Sequence, residues 1–331
     1  MAISSVLGSS ALLPAGLGFR NIVINGGFDV WQRGTSGAFT ATASSSFLAD
    51  RWSCYRFTTG ADATQSRVSA ELDGFQYALR MQRNSGTTGT QKMYVGTSFE
   101  TSTATKLVNK SMVLSFYARA GSNYSAAGSG LEVLLQRGTG TETNGVHVGF
   151  NSATSVISGI ATLTTSWQRF TFYGVMPATC SQLLVQFAFN SVGTAGANDY
   201  ADITGVQLEQ NYQPTPFEQR PIGVEDFLCK RYYQKWSNSS NTSFMTIGSS
   251  IYSTPLTLSV PMRPTTSTSV TYVAVIYGNG TSYAINSLGV SIFDTANPQY
   301  FRLEGSFSGS WNYSWPLCTF NTHNVIINSE L

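Results

Sequence analysis

The stretch Ser111-Met112-Val113-Leu114-Ser115-Phe116-Tyr117-Ala118-Arg119 places Met112, Leu114, Phe116 and Ala118 at every second position, on one face of an extended strand. The pattern recurs at 168–174, where Phe170 and Phe172 share a side, and again at 183–189. Clusters of Gly, Ser, Thr and Asn separate such stretches from 21 to 210, the punctuation of short strands joined by tight turns. Apolar runs inside these strands suit two sheets packed face to face. The expected fold class is therefore all-β, with two β-sandwich domains joined by a short helix.

The expected boundaries are 1–20 for an N-terminal segment, 21–210 for the first sandwich, 211–240 for a linker and connecting helix, and 241–331 for a second sandwich. Residues 213–223 hold three prolines and no periodicity, which reads as the linker. Over 224–236 the spacing predicts a helix with Val224, Phe227, Leu228 and Tyr232 on one face. Its acids Glu225 and Asp226 come first and its bases Lys230, Arg231 and Lys235 last, the order that complements the helix dipole. Beyond it, strands are expected at 256–260, 270–277, 283–292, 300–304 and 325–327, with a hairpin turn at Gly278-Asn279-Gly280. The first twenty residues are apolar and rich in Gly and Ser. They have no base before Arg20, and Gly8, Ser9, Ser10 and Pro14 interrupt them, unlike a signal peptide. Either they order on a partner subunit through Ile3, Val6, Leu7, Leu12 and Leu13, or they form an unstructured terminus.

Only 11% of the residues are charged, against about 25% in ordinary soluble proteins. Polarity rests instead on Ser, Thr, Asn, Gln and 31 glycines, while aromatics reach 13%. Such a surface suits packing against other subunits or neutral polar ligands such as sugars. A net charge of +2, with 19 basic and 17 acidic residues and no basic cluster, excludes a phosphate-neutralising stripe, so no nucleic-acid partner is expected. No apolar run approaches the length of a bilayer-spanning helix, so no membrane insertion is expected.

The four cysteines, Cys54, Cys180, Cys229 and Cys318, lie far apart and the histidines are only His147 and His323, which argues for buried free thiols and against zinc. Phosphate-loop, zinc-protease and nucleophile-elbow motifs are missing, and the acids Glu71, Glu142, Asp294 and Glu304 form no close sequence pair. The expectation is a protein that is not an enzyme and needs no cofactor.

The aromatic candidate for binding is Ser310-Trp311-Asn312-Tyr313-Ser314-Trp315. In a strand Trp311, Tyr313 and Trp315 project to one side, and Asn312 supplies hydrogen bonds. The strip is either a glycan platform or, as large aromatics usually are, a buried core or subunit seam. Asp50-Arg51-Trp52 is read as structural: the charged pair ties itself or a turn, and Trp52 plugs the end of the sandwich.

Two sequence blocks carry a family resemblance. The first is Asn25-Gly26-Gly27-Phe28-Asp29-Val30-Trp31-Gln32-Arg33-Gly34 with Ala49-Asp50-Arg51-Trp52. The second is Gly205-Val206-Gln207-Leu208-Glu209, Thr215-Pro216-Phe217-Glu218-Gln219-Arg220-Pro221 and Leu228-Cys229-Lys230-Arg231-Tyr232-Tyr233, with a weaker echo in Val260-Pro261-Met262-Arg263-Pro264 and a Glu-Leu ending. Together they resemble bacteriophage virion proteins, especially tail-fibre-like structural proteins of phages that infect cyanobacteria and other marine bacteria. The order of strand motifs, with Trp167-Gln168-Arg169-Phe170 and a closing strand from Asp202 to Leu208, also resembles the jelly-roll layout of carbohydrate-binding modules. The resemblance implies a virion protein assembled in the bacterial cytoplasm, tail fibre or tail-associated. Its partners would be other virion proteins, copies of itself, as a trimer first, and host cell-surface polysaccharide. A head-decoration or head-fibre protein and a polysaccharide-degrading tail protein are the alternatives. Modules of the carbohydrate-binding kind often carry a structural calcium ion; no metal is expected here, and three oxygen-bearing side chains, Asn25, Asp29 and Asp202, are the residues that could hold one.

Overall fold

The computed structural model describes residues 19–39, 46–56, 62–238, 244–247, 250–253, 256–257, 259–263, 267–273, 275–278, 281–292, 300–307, 322–328 and 330. The first sandwich comprises β1 (Ser36–Ala38), β2 (Ser53–Arg56), β3 (Ala63–Leu72), β4 (Phe75–Arg83), β5 (Met93–Phe99), β6 (Ser111–Ala120), β7 (Ala126–Gly138), β8 (Thr154–Thr162), β9 (Gln168–Val175), β10 (Gln182–Ser191) and β11 (Tyr200–Gln210). They form a six-stranded sheet, β1-β3-β4-β11-β6-β9, and a five-stranded sheet, β2-β5-β10-β7-β8, with antiparallel neighbours throughout.

The alternation read in β6 is the inner face of the first sheet. Met112, Leu114, Phe116 and Ala118 are buried in one core with Val95, Leu131, Val133, Leu183, Val185 and Phe187 of the second sheet. Phe116 sits where the sheets meet, edge-on to Phe187 at 4.7 Å and stacked with Phe170 at 5.6 Å and Phe172 at 6.2 Å. Burying one such ring outweighs any single hydrogen bond of the ladders.

The Asn25-to-Gly34 block is not a strand but an irregular rope laid along β11. Ile22 donates to the Leu208 carbonyl at 2.8 Å, and Val206 donates to that of Gly26 at 2.9 Å. A Cβ on Gly26 would lie 2.1 Å from the Val206 oxygen, so this crossing requires glycine. The register of β11 slips there, between Thr204 and Gln207, which frees the backbone groups that the rope takes up.

The proline-bearing stretch after β11 is strapped to the sandwich. Gln207 donates to the Thr215 hydroxyl at 3.0 Å and accepts from the Glu218 amide at 2.8 Å, while Glu209 accepts from the Thr215 amide at 2.8 Å. Glu218 accepts from the Asn21 amide at 2.6 Å, closing the strap on the rope.

The connecting helix spans Ile222–Lys230, shorter than the expected 224–236, because Tyr233–Asn238 is drawn into a strand instead. Its buried residues are Glu225 and Cys229, one turn apart; of the expected apolar face Phe227 is exposed, Val224 and Leu228 are half-buried, and Tyr232, beyond the helix, is buried. Glu225 is buried because it accepts from the Asn25 amide and from Arg220, bonds that apolar periodicity does not register.

The remainder adds β12 (Tyr233–Asn238), β13 (Phe244–Ile247), β14 (Ser250–Ser253), β15 (Leu256–Thr257), β16 (Ser267–Val273), β17 (Val275–Gly278), β18 (Thr281–Ile292), β19 (Tyr300–Phe307) and β20 (Thr322–Asn328). Strands β12, β20 and β16 form one antiparallel sheet, and β13, β14, β19, β18 and β17 another, with β15 also on β19. The fold is all-β as the sequence implied. Strands β17 and β18 pair antiparallel up to Gly278 and Thr281, while residues 279 and 280 of the expected turn lie outside the described residues. Among the described residues no helix is long and apolar enough to cross a membrane.

Phe116→Ala is expected to cost about 3–5 kcal/mol, since the cavity would face both sheets. A urea melt of the variant beside the wild type reads the loss.

Candidate functional site

The residues that make this sequence recognisable converge at one end of the first sandwich. Asp50 is fully buried and accepts from the Gln32 amide at 2.7 Å, from the Gln32 side chain at 2.9 Å and from Arg33 at 3.3 Å. Arg33 reaches on to Glu330 at 3.2 Å, and Glu330 also pairs with Arg51. Each arginine lies over a tyrosine ring, Arg33 over Tyr233 at 3.5 Å and Arg51 over Tyr232 at 3.6 Å. The neighbouring Arg231 binds Glu100 through two bonds, at 2.9 and 3.0 Å, and the Tyr232 hydroxyl donates to the same carboxylate at 2.6 Å. Asp50 and Arg51 thus face different partners, neither of them the other.

Trp52 does plug the sandwich. It is fully buried, 4.9 Å from the Phe28 ring, with its indole N–H donating to the Asn25 carbonyl at 3.0 Å. Burial pushes the Asp50 carboxyl up to about 6, against the pull of Arg33 and Gln32. Burial likewise raises the Cys54 and Cys229 thiols; with Cys180 they are free and buried, while Cys318 lies outside the described residues.

Of the three oxygen-bearing residues, Asn25 and Asp202 are engaged otherwise. The Asn25 side chain donates to the Val30 and Asp50 carbonyls, both at 2.9 Å, and accepts from the Val30 amide at 3.0 Å. Asp202 is fully buried between Arg80, at 2.7 and 2.9 Å, and Arg119, at 3.0 Å. Asp29 has its pKa raised by burial and by nearby Glu225. Two arginines therefore hold the Asp202 carboxylate. Among the described residues, no group of three or more His, Cys, Asp or Glu is placed to hold a metal. The aromatic strip Trp311, Asn312, Tyr313 and Trp315 and the N-terminal Ile3, Val6, Leu7, Leu12 and Leu13 lie outside the described residues.

A groove of about 420 Å³ lies on the outer face of the five-stranded sheet. Its floor and walls come from Gln186 and Ala188 on β10, Glu132 and Leu134 on β7, and Ser158 and Ile160 on β8. These are the alternate residues to the core set, so the strand period that builds the core also builds the groove. Across the sheet the register aligns Tyr55, Tyr94, Ala188, Glu132 and Ile160 in one row and Ser53, Gly96, Gln186, Leu134 and Ser158 in the next. Small Ala188 between bulkier neighbours makes the trough. Lys92 pairs with Glu132 at 2.8 Å along the rim, both about a third exposed. The sequence carries no sign of this groove because its outward residues come two from each of three strands remote in sequence, and no local motif joins them.

No family model matches the sequence, and no curated protein matches it. Solved structures similar to it include a putative sugar binding protein from Bacteroides thetaiotaomicron VPI-5482, at 14% identity and a TM-score of 0.38, covering 58% of this chain and 100% of that one. Another is a CBM4 carbohydrate-binding module, at 16% identity and a TM-score of 0.35, covering 56% and 98%. A third is the enzymatically active domain of bacteriophage CBA120 tailspike protein 4, at 11% identity and a TM-score of 0.35, covering 52% and 22%.

Two outcomes follow for the charged end of the sandwich. Glu330→Gln leaves the Arg51 guanidinium buried without its counter-charge and is expected to destabilise the protein by about 3–5 kcal/mol in a denaturant titration. Asp50 has its folded pKa raised from 3.8 to about 6, so its contribution to stability is full below the lower value and is lost as pH rises through the higher one. Asp50→Asn is expected to abolish that decline, read from urea midpoints at stepped pH.

Proposed function

We propose that the chain is a carbohydrate-binding structural protein that receives a neutral, hydroxyl-rich ligand in the groove over Ala188. The observation that carries this reading is the lining of the groove. Leu134 and Ile160 offer aliphatic surface to the C–H faces of a sugar ring. Gln186, Glu132 and Ser158 offer a donor-acceptor amide, an acceptor and a hydroxyl to its O–H groups. Glu132 is the one carboxylate in that lining and is already paired with Lys92, whereas hydrolysis of a glycosidic bond calls on two. This favours binding over catalysis.

In the finer reading the protein belongs to a virion, as a tail fibre or tail-associated component. It assembles as a homo-oligomer, a trimer first, and presents the groove to polysaccharide of the host envelope. The two sequence blocks that resemble phage tail-fibre-like proteins support this, as does a charge content of 11%, which lowers the desolvation cost of packing subunits. Several weak sugar contacts on one particle add up to firm attachment.

Ala188→Trp fills the trough from its floor, and Gln186→Ala removes its amide. Both variants are expected to keep the wild-type melting temperature and to lose retention on immobilised envelope polysaccharide. Undiminished retention by the Ala188→Trp protein would remove the groove from the account. Immunogold labelling of intact particles tests the virion reading separately.

A further inference from the structure

We infer that the groove takes the end of a saccharide chain, and not a stretch from its middle; the inference rests on the glycan reading above. A polymer lying through a binding groove needs two open ends, whereas the row of residues that forms this one meets aromatic side chains on its β5 side. On the side of β5 and β2 the row over Ala188 runs into Tyr94, which stacks on Tyr55 with ring centroids 6.4 Å apart. In the next row Gly96 carries no side chain, and Val146 occupies that space: a Cβ at Gly96 would lie 2.8 Å from its methyl. Val146 clusters there with Tyr55 and Leu184, and Tyr94 and Phe150 pack against them.

This wall is built into the sheet. Asn144 accepts from the Val146 amide at 3.0 Å and donates to the Ser53 hydroxyl at 3.2 Å, and Gly145 donates to the Ser98 hydroxyl at 3.0 Å. The approach to it is anchored by Gln182, which accepts from the Gly140 amide at 2.9 Å and donates to the Thr141 carbonyl at 2.6 Å. Glu142 is held between the Thr101 amide and Arg263. So many bonds to two different strands make a fixed stop, not a closing flap.

The opposite end is open. Strand β8 closes the order of the sheet, and its Ile160 is 66% exposed. A chain therefore enters past Ile160, lays its terminal unit over Ala188 between the Lys92–Glu132 pair and Gln186, and stops at Tyr94. Specificity then resides in the hydroxyls that a terminal sugar has and an internal one lacks, which Glu132 and Gln186 are placed to read.

The test uses the full chain and a panel of polysaccharides: the envelope polysaccharide of the retention assay above, xylan, mixed-linkage β-glucan, amylose and galactomannan. Each is offered intact and after partial acid hydrolysis, at equal mass. For the member that binds, the apparent affinity per unit mass is expected to rise by the factor by which hydrolysis multiplies chain ends. In Tyr94→Ala, whose wall is cut back, the gain on hydrolysis should shrink while the melting temperature stays close to wild type. Equal affinity of intact and hydrolysed polymer for the wild type overturns end recognition and leaves the glycan reading standing. Failure of the wild type to bind any polymer, intact or hydrolysed, overturns both.

Discussion

Two arginines and two carboxylates, closed off from water, hold this structure together where its distant segments meet. Arg33 bridges Asp50 and Glu330, and Arg51 pairs with Glu330, so that residues nearly the length of the chain apart share one set of charges. Coulomb attraction alone does not compensate the desolvation of such groups; further bonds and contacts are needed. The structure supplies them: two bonds from Gln32 to Asp50, one from Arg51 to the Ser98 carbonyl at 2.6 Å, and the Tyr232 and Tyr233 rings beneath the guanidiniums. Because each member is costly without the others, the arrangement fixes how the tyrosines after the connecting helix, and Glu330, sit against the first sandwich.

The same economy of charge runs through the first sandwich. Asp202 is consumed by Arg80 and Arg119 on one outer face, and Asp199 by Arg83 at 3.0 Å, both of that last pair fully buried. A chain that carries few ionisable groups has spent many of them on architecture. What remains at the groove is one ion pair among amide, hydroxyl and aliphatic groups, and such a surface suits uncharged, hydroxyl-rich ligands better than phosphates or peptides of strong charge.

The most recognisable motifs proved to be structural. Asn25, Asp50, Arg51 and Trp52 close the end of the sandwich, and Gln207, Glu209, Thr215 and Glu218 strap the following stretch to it. A long motif stands out in sequence when many neighbouring residues bond one another's backbone, which is what a rope and a strap demand. A groove on a sheet needs only one or two outward residues from each strand, with the turns free to vary in between. Its residues carry no signature that a reader of the sequence can find.

Strand identity and the all-β class were legible because side chains alternate across a strand, and residues such as Met112, Leu114 and Phe116 can satisfy that period only by facing a core. The end of the connecting helix was not legible. Residues 231–236 have helical charge order, yet Tyr233 pairs with Asn328 in a ladder, because a partner strand remote in sequence outweighs local propensity. Nor was the burial of Glu225, Asp50 and Asp202, since a carboxylate's place inside depends on donors that the fold brings from elsewhere. The sequence by itself determined which residues alternate and which turns break them. Only the tertiary structure decided which strands are neighbours, and with that which outward residues form the groove and which charges meet, because register between strands is set by contacts across the whole sheet and not along the chain.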